Sequence, residues 1–403
     1  MPMDFYFDYT CPYAYLAFTQ LEAFEAASGT RARLRPMLLG GVFAATGTPQ
    51  KLFATLSPAK AKHNGEDMMR YAEWFGVPLR MPAEHPRRSV EALRATLATA
   101  DGDVIDRRVV RGFYDAYWVK GQAPSDEATI RAVVGAAGHD ADRVVAAIGT
   151  SIIKDRLRAL TDEAIGHGVF GAPALVREDG SLYWGQDRLN FAFGVPYAPP
   201  NGESSKAMTN HTLDFYWDFS SPYAYLASTQ VEALAARTGA TLRSCPMLLG
   251  GLFKAIGQVD VPLMAFSEAK RKYMLVDLHR WADHWGVPFK FPSRFPMNTV
   301  KALRAYLALP EARRAAFRAA TFRAYWADDR DIADDAVLAE LIGADAAEVL
   351  LRTKEPAIKE ELFAATGAAA KAGAFGAPTW VVDGTDLYWG QDRIPLVERA
   401  LAK

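Results

Sequence analysis

The sequence predicts an α/β protein made of two tandem copies of one domain, each interrupted by a long helical insertion. Three observations predict it. A fixed offset of 210 residues, the separation of Cys11 from Ser221, relates the two halves of the chain. Each half opens with aromatic β-forming residues, a sharp turn and a stretch of helical periodicity. A mostly helical block then precedes two short strand segments near the end of each half.

Matched segments fix the extent of the repeat. Residues 36–41 and 246–251 both read Pro-Met-Leu-Leu-Gly-Gly. Near the end of each half the separation falls to 205 residues, as between Pro173 and Pro378, so the halves differ by an indel of five residues. The predicted divisions are copy one over 1–195 with a helical insert about 40–168, a linker over 196–211, and copy two over 212–403 with a helical insert about 250–373.

The elements of the first copy follow from periodicity and from turn residues. In order, they are a strand over 3–9, a helix over 12–27, a strand over 31–37, mostly helix over 57–168, strands over 174–176 and 182–184, and a last helix from residue 187. The second copy repeats this order, with strands near 213–219, 241–247, 379–382 and 387–389. A β-α-β unit and a terminal β-β-α unit are the two halves of a thioredoxin-like fold. The sequence therefore predicts two such domains in tandem.

Composition favours a globular protein that acts on small molecules. The 403 residues carry a net charge of −1, and half are hydrophobic, so we expect no nucleic-acid or membrane-surface partner. The N-terminus lacks the order of charges and apolar residues that marks a signal peptide. The two cysteines, Cys11 and Cys245, provide neither a disulfide framework nor a metal cluster, which favours a reducing cytoplasm. Cys245 aligns with Arg35 at a strand end and is interpreted as structural.

The turn after the first strand of each copy carries the first candidate site residues, Cys11 and Ser221. Each precedes a proline that suits the first helical position, so each is predicted to be an N-cap. One interpretation is thiol or thiolate chemistry, because the unpaired N–H groups of a helix start stabilise an anion. The other is ordinary helix capping for Ser221 and a small buried residue for Cys11. With Ala14 in the position of a second cysteine, no disulfide can form at this turn.

Gly-Ala-Pro precedes the third strand of each copy, at Ala172-Pro173 and at Ala377-Pro378. Thioredoxin-like folds use a cis peptide at such a proline, where the preceding residue pairs with a peptide-like ligand in the manner of a strand. The alternative is an ordinary proline at the start of an edge strand.

Two further polar segments are candidates for ligand recognition. Trp-Gly-Gln-Asp-Arg recurs in both copies, and its amide and carboxylate either recognise an α-amino-acid group or cap the last helix. The residues concerned are Gln186 and Asp187 in copy one and Gln391 and Asp392 in copy two. Lys270, with Lys60 as its equivalent, is either a clamp for an anionic ligand or part of a solvated helix face.

Together these motifs resemble the DsbA-like thioredoxin superfamily. Within it the chain is similar to the 2-hydroxychromene-2-carboxylate isomerases and the kappa-class glutathione transferases. The motifs are Asp-Phe-x-Ser-Pro-Tyr-x-Tyr-Leu, Pro-Met-Leu-Leu-Gly-Gly, Lys-x-x-Tyr-x-x-x-Asp, Phe-Pro-x-Asn-Thr, Phe-Gly-Ala-Pro-Thr and Trp-Gly-Gln-Asp-Arg. Copy two carries all six in family order, and copy one carries several in altered form.

The resemblance implies an enzyme that uses glutathione as its cofactor and takes a small aromatic-derived acid or another electrophile as substrate. Ser221 would favour the glutathione thiolate, and Ala377 and Pro378 would pair with its backbone. The remaining implied glutathione contacts are Gln391 and Asp392 at the γ-glutamyl end, Lys270 at the glycine carboxylate, and Gln258. Asn298, Trp389 and Tyr223 would line the substrate pocket, although Asn298 would also suit a helix cap. In the isomerases the thiolate adds reversibly, a bond rotates and the thiol leaves.

Departures from the family pattern lie in copy one, where Cys11, His63 and Arg88 replace Ser, Tyr and Asn. Copy one is therefore either a degenerate partner or a site with its own thiol chemistry. Two alternatives to the glutathione-dependent enzyme remain open: a monothiol oxidoreductase or peroxidase that acts through Cys11 and needs a depressed thiol pKa, and a non-catalytic binding protein. Because family members are commonly dimers, the fused copies are expected to form a monomeric pseudo-dimer.

Overall fold

Each half of the chain folds around a four-stranded sheet of the same topology. The computed structural model describes residues 3–50, 55–197, 210–258 and 266–403. The first sheet has the order β2-β1-β3-β4 and the second β6-β5-β7-β8. The strands are β1 (Met3–Phe7), β2 (Ala32–Pro36), β3 (Ala174–Arg177), β4 (Leu182–Trp184), β5 (Thr212–Trp217), β6 (Thr241–Pro246), β7 (Thr379–Val382) and β8 (Asp386–Trp389).

Strand register places the sequence motifs at one end of each sheet. β1 runs parallel to β2 and antiparallel to β3, and β5 pairs in the same way with β6 and β7. A parallel pair needs a helical crossover, which the segment after each turn provides. Tyr216 lies opposite Thr379, so the chain leaves β5 beside the residues that lead into β7. The same register brings Tyr6 opposite Ala174 in the first sheet.

The helices of the first half are α1 (Pro12–Ser28), α2 (Leu39–Thr46), α3 (Pro58–Phe75), α4 (Val90–Ala98), α5 (Arg107–Tyr114), α6 (Glu127–Ala136), α7 (Ala141–Ala147), α8 (Ser151–Gly166) and α9 (Leu189–Phe193), with a π-helical turn over Asp115–Val119 and a 3₁₀ turn over Gln186–Arg188. Those of the second half are α10 (Pro222–Ser228), α11 (Val231–Thr238), α12 (Leu249–Ala255), α13 (Glu268–Trp285), α14 (Val300–Ala308), α15 (Glu311–Trp326), α16 (Asp335–Ile342), α17 (Ala346–Arg352), α18 (Pro356–Lys371) and α19 (Ile394–Leu401), with a 3₁₀ turn over Gln391–Arg393.

The predicted fold class is confirmed. Each half is a thioredoxin-like domain in which a block of helices, α2–α8 or α12–α18, separates the β-α-β opening from the final β-β-α unit. Both predicted strands 182–184 and 379–382 agree with the structure at each end. The linker predicted over 196–211 lies outside the described residues from 198 to 209. None of the described helices is long and apolar enough to cross a membrane.

Burial of the central strands explains why the sheets form where the sequence predicts them. All five residues of β1 are buried, and Phe5 and Phe7 pack together with ring centroids 6.0 Å apart. In the second half, Trp217 ends β5 against Tyr306 and Phe322 of the inserted helices. Aromatic side chains of this size contribute most of the apolar area of a core.

The chain divides into two compact units whose boundaries differ from those of the repeats. The first unit comprises Met1–Thr55, Gly65–Gly202 and Ser267–Lys270, and the second comprises Leu56–Asn64, Glu203–Phe266 and Arg271–Lys403. The first turns of α3 lie within copy one in sequence but belong to the second unit. The start of α13 belongs to the first unit. This division determines which lysine each candidate site receives.

Candidate active site

Ser221 is the N-cap of α10, as its position before Pro222 predicts. Its side chain is buried, with 4% of the residue exposed. The hydroxyl oxygen accepts the N–H of Ala224 at 3.1 Å and donates to the carbonyl of Ala377 at 2.8 Å. A hydroxyl that is already held by a backbone amide can direct its proton at a second acceptor. The structure therefore joins the turn motif to the Ala-Pro motif through one hydrogen bond.

Asp218 fixes the turn that carries Ser221. One of its carboxylate oxygens accepts the N–H of Ser220 at 3.0 Å and the hydroxyl of Thr299 at 2.7 Å. The other accepts the N–H of Leu249 at 2.7 Å. Burial nevertheless raises the pKa of Asp218 above its ordinary value. This carboxyl ties the end of β5 to the first residues of two inserted helices, α12 and α14.

The Ala377-Pro378 peptide bond is cis, as is Ala172-Pro173 in the first unit. The carbonyl of Pro378 accepts the N–H of Gly390 at 3.1 Å, which ties the proline to the Trp-Gly-Gln-Asp-Arg motif. Gly376 lies directly against the indole of Trp389, because a Cβ placed on that glycine would be 2.5 Å from Trp389 Nε1. Gly376 thus lets the tryptophan close one side of the site.

Gln391 supplies a buried amide with an unused donor. It is 2% exposed, and its Nε2 has no hydrogen-bond partner among the residues that the structure describes. Buried polar groups are almost always hydrogen-bonded, so a buried NH₂ group that lacks an acceptor points to a ligand atom. Asp392 follows in the same 3₁₀ turn, with an oxygen 3.1 Å from Arg393. An amide donor and a carboxylate acceptor therefore stand side by side.

The lysines are placed differently from the prediction. Lys270 belongs to the first unit, where its Nζ lies 5.4 Å from the ring centroid of Trp184. Lys60 belongs to the second unit, with its Nζ 5.3 Å from the ring of Trp389. The sequence analysis predicted Lys270 for the Ser221 site and Lys60 for the Cys11 site, whereas in the structure each lysine lies beside the tryptophan of the other copy's motif. Burial lowers the pKa of Lys60.

The packing of His63 places Lys60 beside Trp389. The sequence did not predict His63 as a residue of this site. Its Nε2 accepts the backbone N–H of Trp389 at 3.1 Å, and its ring lies 5.4 Å from that of Phe375. His63 is buried and one turn after Lys60 in α3, so its packing fixes the position of the lysine. The sequence signal was its alignment with Tyr273. That alignment does not predict which sheet the His63 side chain contacts.

The remaining predicted residues of copy two lie at the edges of the site. Asn298 is exposed, and its Oδ1 accepts the N–H of Val300 at 3.0 Å in a turn just before Thr299, the N-cap of α14. Tyr223 is half-buried in the first turn of α10. Gln258 is also half-buried, and its backbone N–H donates to Phe253 at 2.8 Å at the end of α12. The roles of these three residues remain predictions.

Cys11 is the N-cap of α1, but its surroundings favour the protonated thiol over the thiolate that thiolate chemistry needs. Its thiol donates to the carbonyl of Ala172 at 3.0 Å. Burial is the main cause that raises the pKa of Cys11 to about 12. This is opposite to the depressed pKa that the monothiol alternative requires. Cys245 is half-buried at the end of β6, and burial likewise raises its pKa to about 12.

Comparison with known proteins places both halves in one family. The DSBA-like thioredoxin domain matches residues 3–192 and again residues 212–402. A 2-hydroxychromene-2-carboxylate isomerase from Pseudomonas putida is 33% identical over 196 residues, which cover 47% of this chain and 94% of that protein. Glutathione s-transferase kappa 2 of Caenorhabditis elegans is 28% identical over 202 residues, covering 46% of this chain and 88% of that protein.

Among solved structures, a 2-hydroxychromene-2-carboxylate isomerase is 30% identical and has a TM-score of 0.43. The match covers 47% of this chain and 94% of the isomerase chain. Each of these relatives thus corresponds in length to about one repeat.

Proposed function

Because this chain belongs to the DSBA-like thioredoxin family, we propose that it is a glutathione-dependent isomerase or transferase whose active site is built around Ser221. The proposed substrate is a small aromatic-derived acid or another small electrophile, in keeping with the names of the relatives. The observation that carries the proposal is the buried, unpartnered Nε2 of Gln391 beside Asp392.

The residues of the second unit fit the chemical groups of glutathione. The Nε2 of Gln391 is a donor that suits the carboxylate of an α-amino-acid group, and the Asp392 carboxylate suits the adjacent ammonium. The backbone around the cis Ala377-Pro378 bond suits a peptide in extended form. Lys60, instead of Lys270, is the cation available for the second carboxylate. These residues would hold both ends of the tripeptide and its middle.

Ser221 is proposed to orient and stabilise the sulfur of the ligand. When bound, glutathione would supply the thiolate that attacks the electrophile. The Ser221 hydroxyl donates to Ala377 in the structure, and rotation about its C–O bond redirects that proton without loss of the Ala224 amide bond. A hydrogen bond to an anion contributes about 1.5–3 kcal/mol. The burial of Ser221 excludes competing water and strengthens this bond.

The raised pKa of the Cys11 thiol does not favour the alternative of thiol chemistry at Cys11. A thiol whose pKa is raised to about 12 is almost entirely protonated at neutral pH, and the thiolate is the reactive form. A turnover assay distinguishes the proposed enzyme from a non-catalytic binding protein. Binding of glutathione without turnover of any thiol-requiring substrate would favour it.

Calorimetric titration with reduced glutathione, together with turnover of 2-hydroxychromene-2-carboxylate, tests the proposal. We expect Ser221→Ala to lower kcat/KM by about 10- to 100-fold, the range that corresponds to one hydrogen bond to an anion. Ser228→Ala removes a buried hydroxyl from the same helix that bonds only within it, so it is the matched control. If the wild type shows no saturable binding up to about 10 mM glutathione, a concentration that occupies even sites with a millimolar Kd, the proposal is refuted.

A further inference from the structure

The first unit repeats four features of the second: the cis proline, the contact between a glycine and a tryptophan indole, a lysine near that indole, and the Gln-Asp pair. Cis Ala172-Pro173 lies beside the turn, and Gly171 touches the indole of Trp184 as Gly376 touches Trp389. Lys270 lies 5.4 Å from the Trp184 ring, against 5.3 Å for Lys60 and Trp389. Asp187 lies 3.2 Å from Arg188, and the corresponding pair of the second unit is 3.1 Å apart.

Gln186 provides the independent sign of a ligand in this unit. It is 2% exposed, and its Nε2 lacks a hydrogen-bond partner within the described part of the chain. Gln186 follows Gly185, whose N–H donates to the carbonyl of Pro173 at 3.0 Å. The Gly185 hydrogen bond therefore ties the turn that carries the unused Gln186 donor to the cis proline. Both units bury this amide donor without an acceptor, which a purely structural glutamine would not require.

The two units differ in the group that would meet the ligand sulfur. Ser221 is held by the Ala224 amide while it donates to Ala377. Cys11 donates to Ala172 at 3.0 Å and makes no side-chain N-cap hydrogen bond, and the nearby backbone N–H of Ala14 lowers its pKa by less than burial raises it. A thiol is a weak hydrogen-bond donor compared with a hydroxyl. The first unit thus has the recognition groups and lacks the group that would favour a bound thiolate.

We propose that the first unit is a second binding site for glutathione, in which the ligand is held as the neutral thiol. This inference rests on the function proposed for the second unit and adds that the two sites are chemically different. Because burial raises the Cys11 pKa to about 12, Cys11 stays a thiol at neutral pH and does not compete with the ligand as a nucleophile. One chain would then bind two ligands and activate one of them.

Two readouts on the full-length chain test the inference, with reduced glutathione as the probe. Calorimetry should give two ligands per wild-type chain and one after Gln186→Ala. The far-ultraviolet absorbance of bound thiolate should correspond to one equivalent in the wild type. It should fall to none in Ser221→Ala and rise to two in Cys11→Ser, because a serine at residue 11 restores the hydroxyl donor. Addition of Gln186→Ala to Cys11→Ser should remove the second equivalent.

The failure of this inference is distinguishable from the failure of the proposed function. Absence of any binding removes both. A single site that is lost in Gln391→Ala and kept in Gln186→Ala leaves the proposed function intact and overturns the inference. Two bound ligands with two thiolate equivalents in the wild type would also overturn it. Circular dichroism of each variant shows whether the fold is kept, and Gln186→Glu, which keeps the side-chain size, repeats the test if Gln186→Ala unfolds.

Discussion

At the scale of single residues, the Ser221 oxygen and the Cys11 sulfur distinguish two sites that share a cis proline, a Gln-Asp pair and a nearby lysine. Ser221 and Cys11 both cap a helix and both donate to the alanine carbonyl before a cis proline. The hydroxyl is the stronger donor, and it accepts the backbone N–H of Ala224 at 3.1 Å. Since hydrogen-bond donation to a thiolate lowers the pKa of the thiol, under the proposed function this difference would determine which site activates the ligand.

Asp218 carries a residue-scale prediction about stability and pH. Its pKa is raised by burial, so its contribution to stability is present below the ordinary carboxyl pKa and is lost as pH rises through the folded-state value. Asp218→Asn loses the acceptor for Leu249, and we expect a destabilisation of roughly 1–3 kcal/mol at about pH 5. The destabilisation should be smaller at about pH 8, because ionisation of the buried carboxyl costs the wild type free energy as the pH rises.

Urea denaturation of both proteins at the two pH values measures this difference. Asp334→Asn is the control, because Asp334 is an exposed N-cap of α16 and asparagine caps about as well. We expect no comparable change with pH for that variant. A destabilisation by Asp218→Asn that is constant or grows between the two pH values would contradict the prediction.

At the scale of elements, the first turns of α3 and α13 decide the composition of each site. Residues 56–64 belong to the second compact unit, and Ser267–Lys270 belong to the first. Lys60 therefore lies beside Trp389 with His63 as its neighbour one turn later. Helical periodicity identifies both helices, but it is the packing of His63 against Phe375 that gives the first turn of α3 its location.

Lys60→Ala tests this element-scale assignment. If Lys60 binds a ligand carboxylate in the second unit, its loss should weaken glutathione binding at the Ser221 site by about 10- to 100-fold, the range for a charge-assisted hydrogen bond. KM for glutathione should rise accordingly in steady-state kinetics. Lys62→Ala, an exposed lysine of the same helix, is the control and should leave KM unchanged. An unchanged KM in Lys60→Ala would show that Lys60 does not bind the ligand carboxylate.

At the scale of the whole molecule, the duplication predicts the state of association. Two copies of a domain in one chain can supply within one polypeptide what a dimer of single domains supplies with two. We therefore expect a particle of 44.2 kDa by light scattering coupled to size-exclusion chromatography. A particle of twice that mass at micromolar concentration would contradict the monomeric pseudo-dimer.

The sequence by itself determined the duplication, the fold class and the positions of the functional motifs. Those follow from local rules: β-forming aromatic residues before a turn, a proline at the first helical position, and repeat offsets of 210 residues between Cys11 and Ser221 and 205 residues between Pro173 and Pro378. They also predicted that Gln391 and Asp392 begin the last helical segment, where the structure has a 3₁₀ turn.

Only the tertiary structure decided which residues share a site and what their surroundings do to them. Lys60 and Lys270 are equivalent in sequence spacing, and nothing local tells which sheet the first turn of each helix meets. The pKa of Cys11 likewise depends on burial by side chains distant in sequence, which overcomes the favourable position at a helix start. Long-range packing sets these properties because desolvation and contact depend on neighbours in space and not on neighbours along the chain.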